Sequence, residues 1–168
     1  MDLRRRTPVV TALVGTALVA ALAGCGREPS FEDRTARLAV DGQVTTFEVD
    51  GCLLDGQTAY VAGHDADGST VQAVIGVEVD GTTGVPASTG ISVAGTGDVP
   101  SVAAFGPEAW QRRGEDGDPP GRIATAGIRG SRLRASGDAA LVGPDDRPRR
   151  TGTVELTFDA RCDETDEE

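Results

Sequence analysis

From residue 37 onward, apolar residues alternate with polar ones over most of the chain, and a period of two predicts strands rather than helices. Leu38 and Val40 lead into Asp41-Gly42, and residues 43–49 (QVTTFEV) resume the alternation. Two apolar runs joined by Asp-Gly predict a tight hairpin, because that dipeptide accepts the positive φ of a type I′ turn. Asp-Gly recurs at 50–51, 55–56, 67–68 and 80–81, where further turns are expected. Between the last two, Val71, Ala73, Ile75, Val77 and Val79 share one face and Gln72 and Glu78 face water, as in a half-buried antiparallel strand. Residues 91–94 and 99–105 read as further strands, 107–111 (PEAWQ) as one helical turn and 114–121 (GEDGDPPG) as a loop. Strands return at 122–128, 133–136 and 139–142, and 143–150 (GPDDRPRR) is a turn. In the last strand Val154, Leu156, Phe158, Ala160 and Cys162 face one way, with Thr153, Glu155, Thr157, Asp159 and Arg161 opposite. Many short strands and almost no helix predict an all-β domain over 37–162, an antiparallel β-sandwich or barrel-like fold of short strands.

The N-terminus follows a different pattern. Arg4, Arg5 and Arg6 precede an apolar stretch from Pro8 to Ala21, which ends in the small residues of Leu22-Ala23-Gly24-Cys25. That is the layout of a secretory signal peptide, and the run is short of the ~20 residues a membrane span needs. The four closing residues look like a bacterial lipobox, a leucine and two small residues before a cysteine. The resemblance implies that residues 1–24 are removed and that Cys25 carries a diacylglyceryl thioether. Each buried methylene adds about 0.8 kcal/mol, so two or three acyl chains hold where one does not. Residues 25–36 then read as the lipidated cysteine and a short polar tether, and 163–168 (DETDEE) as an acidic disordered tail.

Composition narrows the picture further. Processing after Gly24 leaves 144 residues, enough for one domain, with 13 Arg against 26 Asp and Glu, a net charge of −13. Such a balance repels nucleic acid and anionic lipid, so acyl chains would have to do the anchoring. The absence of Lys and Asn from an Ala/Gly/Arg-rich chain suggests a GC-rich genome, and with the lipobox an actinobacterium. With Cys25 lipidated, Cys52 and Cys162 remain in an oxidising compartment, where a pair is expected as a disulfide. The alternative, thiols for metal or redox work, lacks the close spacing or the C-x-x-C motif.

On these residues the chain resembles the mycobacterial nineteen-kilodalton lipoprotein antigen family, the LpqH type. The likeness rests on the lipobox, on VDGQVTTFEVDGC (40–52), on the segment 121–162 and on the closing VELTFDARC (154–162). It implies a cell-envelope lipoprotein anchored at the extracytoplasmic face of the cell membrane. In host-associated members of the family, the acylated cysteine is sensed by Toll-like receptor 2. A ligand-transport role is implied as well. One departure is plain: between Gly26 and Ala36 the only hydroxyls are Ser30 and Thr35, whereas family members carry a long Ser/Thr-rich linker there.

Little catalytic chemistry is legible. His64 is the only histidine, and Asp65 and Asp67 before Gly68 lack the earlier oxygen ligand and the closing Glu of a calcium loop. No G-x-S-x-G elbow is present, and Gly95-Thr96-Gly97 lacks the third glycine of a dinucleotide loop. No catalytic residue, metal ligand or cofactor is therefore expected. Trp110, beside the Gly/Pro/Asp loop, is the sole candidate for ligand binding, with a cap over the open end of the sandwich as the stronger alternative. Two functions follow: an anchored surface or antigenic interaction module, or an extracytoplasmic protein carrying a small apolar ligand between its sheets. A core of Val, Ala, Leu and Ile is small enough to close completely, which favours the first.

Overall fold

A computed structural model describes residues 32–143 and 147–163. The signal segment, the lipobox, Cys25, most of the tether and residues 164–168 of the tail lie outside the described residues. The chain forms β1 (Thr35–Val40), β2 (Gln43–Asp55), β3 (Thr58–His64), β4 (Thr70–Val77), β5 (Gly84–Ala94), β6 (Val102–Phe105), α1 (Pro107–Arg112), β7 (Arg122–Arg129), β8 (Arg132–Val142) and β9 (Pro148–Arg161). All strand pairs are antiparallel, in the order β6-β5-β4-β3-β2-β1-β9-β8-β7, and β6 also pairs with β8. That extra pairing closes eight strands into a barrel, with β7 as a ninth strand on the same edge of β8. Closure removes the unpaired edges that an open sheet would leave.

Local chemistry explains the connections. Asp41 and Gly42 have φ of 50° and 79°, the two positive values of a type I′ turn, and Val40 pairs with Gln43 across it. In the β4–β5 turn the Asp80 carboxylate accepts the backbone N–H of Thr82 and Thr83 and the Thr83 hydroxyl. These bonds favour the charged form, the Thr83 hydroxyl most, and hold the Asp80 carboxyl down at about 2.

The alternation expected from sequence fills the barrel. Leu38, Phe47, Val61, Ile75, Ile91, Val102, Leu133, Leu156 and Phe158 are fully buried along the interior. Ala36, Ala59, Ala73, Ala104, Ala139 and Ala160 sit between them, so small and large side chains together occupy a narrow lumen.

Five expectations change. Asp50-Gly51 is not a turn: β2 runs through it, and Asp50 forms a bulge where the β2–β3 register shifts between Val49 and Gly51. The expected strands at 133–136 and 139–142 are one strand, because Gly137 lets the Arg122 carbonyl lie where a Cβ would stand. β5 begins at Gly84, well before the expected 91. Val79 leaves the inward row, since β4 ends at Val77 and Val79 stands almost fully in solvent. The tether is also shorter than expected, because Thr35 and Ala36 already belong to β1.

Candidate functional site

α1 starts at Pro107, whose missing N–H costs nothing at the first turn. The helix is stitched to β5 at Ser88, whose hydroxyl donates to Glu108 and whose carbonyl accepts from Arg112 at 2.7 Å. Gly106 allows the carbonyls of Pro86 and Ala87 to approach where a side chain would clash. These contacts place Trp110 against Phe105, ring centroids 5.4 Å apart and tilted by 49°. Phe105 in turn covers Gly90, its partner on β5, and the Arg113 guanidinium lies 5.1 Å from its ring centroid.

Ala103, Phe105 and Ala109 form a second apolar cluster, with Trp110 and Val142 packed on it, apart from the barrel interior. Trp110 therefore covers the outside of the barrel wall and not an open end. Val102 and Ala104 point inward from β6, so Ala103 and Phe105 must point outward, and an outer aromatic cover follows from that parity.

Beside Trp110 lies a cleft of about 570 Å³, lined by residues 116–121, Ala140, Arg147, Pro148 and Thr153. Asp116, Asp118 and Arg147 are the charged residues among those that line it. The Trp110 indole N–H is buried without a hydrogen-bond partner among the described residues. A buried donor left unpaired is costly; apart from it, Asp116, Asp118 and Arg147 along the cleft suit a polar small molecule better than a purely apolar one. Sequence reasoning singled out Trp110 and its neighbouring loop but not Arg147, which only the β8–β9 connection brings to the same wall.

The second notable constellation lies where the chain enters and leaves the barrel. Cys52 is joined to Cys162 with Cα atoms 5.8 Å apart, bridging 110 residues. The bulge at Asp50 is what makes this possible. Phe47 and Val49 face inward at odd positions; the extra residue shifts the phase, so Cys52 faces inward opposite the buried Val61. Arg34 donates to the carbonyls of Val49 and Asp50 at 3.0 and 3.1 Å and pairs with Asp163 at 3.2 Å. Arg161 reaches Asp33 at 2.6 Å. His64 Nδ1 lies 2.9 Å from the Asp50 carboxylate. That hydrogen bond, and then the negative charge itself, raises the imidazole pKa above its ordinary value.

The turn after His64 is held from within: Asp65 accepts the N–H of Asp67 at 2.9 Å and of Ser69 at 2.7 Å. Both bonds fall on one carboxylate oxygen, the arrangement of an Asx turn. Comparison with known proteins finds no matching family model and no matching curated protein.

Proposed function

We propose that the chain is a lipid-anchored envelope lipoprotein of an actinobacterium, a non-catalytic surface module held by acyl chains on Cys25 at the extracytoplasmic face. The observation that carries this reading is the Cys52–Cys162 bridge in a chain whose only other cysteine closes Leu22-Ala23-Gly24-Cys25. A bridge of this kind persists in an oxidising compartment, and it leaves Cys25 as the one thiol to acylate. The packed interior fits a module that works through its surface and its lipid, including recognition of the acylated cysteine by a host receptor of the Toll-like type. Cys25→Ala tests the anchor: the variant should leave the membrane fraction for the medium, and membrane retention would sink the reading.

The second reading, a binding protein, draws support from the outer cleft at Trp110 rather than from the lumen, and it shifts the ligand from apolar to polar. Protein extracted gently from its own membrane and weighed intact, then denatured, separates the two. A non-covalent mass lost on denaturation would bring the carrier forward; acyl mass alone on the N-terminal peptide would leave the anchored module standing.

A further inference from the structure

Five large apolar residues stand exposed among the described residues, Val44, Leu53, Leu54, Tyr60 and Val79, and four of them gather at one end of the barrel. β1 begins at Thr35, level with Glu48 of β2 and Arg161 of β9. β2 continues beyond that level to Asp55, so the β2–β3 hairpin projects past the point where the chain enters. Leu53 and Tyr60 are directly opposed on its outer face, to which the Asp50 bulge has turned Leu53, and Leu54 follows near the tip. Thr58 pairs with Gly76 of β4, which puts the β4–β5 turn and Val79 on the same side. Val79 lines one cleft with Gln57 and Thr58 of the neighbouring hairpin tip. Val44 lies at the opposite end, beside the Asp41-Gly42 turn.

We propose that this end docks on the bilayer, with Leu53, Leu54, Tyr60 and Val79 dipping into the interface between headgroups and acyl chains. The proposal rests on lipidation at Cys25. Six residues lie between Cys25 and Glu32, so the anchor has a reach of at most about 25 Å. An anchor that short keeps the projecting hairpins close to the lipid, and apolar tips gain there what they lose in water. Tyrosine suits the boundary, with an apolar ring and a polar hydroxyl. Asp55, Glu78 and Asp80 lie among the apolar tips, so the surface fits a zwitterionic bilayer and not an anionic one.

The test uses the full acylated chain in vesicles of phosphatidylcholine with brominated acyl chains. Val79→Cys and, separately, Val44→Cys carry an environment-sensitive fluorophore, both at exposed positions. The expected result is that the probe at 79 shifts to the blue and loses intensity to the bromines, while the probe at 44 does neither. A floating, acylated protein whose probe at 79 behaves like that at 44 overturns docking and leaves the anchor intact. Protein that neither floats nor carries acyl mass removes both readings together. Quenching at 79 that survives Leu53→Ser would assign the contact to the β4–β5 turn alone and overturn the role given to the β2–β3 hairpin.

Discussion

Two sides of the barrel close in different ways. Between β9, β1 and β2 the ladders are long and in register, and the chain ends are clasped by the disulfide, by Arg34 and Asp163, and by Arg161 and Asp33. Between β5 and β8 no single strand spans the gap. β6 pairs with β8 only at Val102–Leu141 and Ala103–Ala140, while β7 covers the remainder of that edge and meets the chain before β5 through Thr83 and Gly127. The first side is held by covalent and ionic bonds on top of pairing. The second depends on backbones coming close: Gly84 sits against the Ala126–Gly127 peptide and Gly90 beneath the Phe105 ring. The contrast teaches that one closed sheet can be secured by cross-links in one place and by missing side chains in another.

Breaking the clasp should have the largest effect. With the cysteines 110 positions apart, replacing both Cys52 and Cys162 by Ala should cost about 4–5 kcal/mol in a chain-entropy estimate. Urea unfolding of the variant against the oxidised parent measures it. A loss below about 1 kcal/mol would mean that the ion pairs already confine the ends and that the bridge is redundant.

The seam is broken by one methyl group. Gly84→Ala pushes a Cβ into the peptide of Ala126–Gly127, where backbone must move, and overpacking of this kind costs typically 1–3 kcal/mol. Gly51→Ala, on the clasp side, meets nothing within 4 Å and needs no positive φ. It should be neutral or stabilising by up to about 1 kcal/mol through reduced freedom of the unfolded chain. Comparable losses at both glycines would erase the distinction between the two sides.

The clasp side was also the more legible in sequence, for a physical reason. Residues 37–40, 45–49 and 153–162 carry a period of two, which fixes which face is buried, and Asp41-Gly42 names its own turn. The Asp50 bulge escaped because Asp-Gly marks turns and bulges alike; only the β3 register tells them apart. Yet one sign was present: Phe47 and Val49 at odd positions put Cys52 on the outer face unless a residue is inserted. On the seam side, β5 from Gly84 to Gly90 carries no apolar alternation, because its glycines serve contacts with strands distant in sequence. Trp110 was visible as a ligand candidate, but the parity of a four-residue strand decides that it covers the outer wall. Arg147 joins it through a connection that periodicity cannot anticipate.

The smallest effect concerns the pin on the bulge. His64 is half exposed and gains a hydrogen bond and an opposite charge from Asp50, so its folded pKa lies above the ordinary 6.5. A pKa raised by folding contributes stability that is fully present below about 6.5 and is lost as pH rises through the folded value. With a single histidine in the chain, its imidazole resonances can be followed by NMR without ambiguity. Asp50→Asn removes the charge and leaves the side chain its shape, and the imidazole should then titrate lower than in the parent. An imidazole that titrates alike in both proteins would mean that Asp50 does not hold it. The bulge would then rest on Arg34, which already binds the carbonyls of Val49 and Asp50 and keeps Cys52 turned toward Cys162.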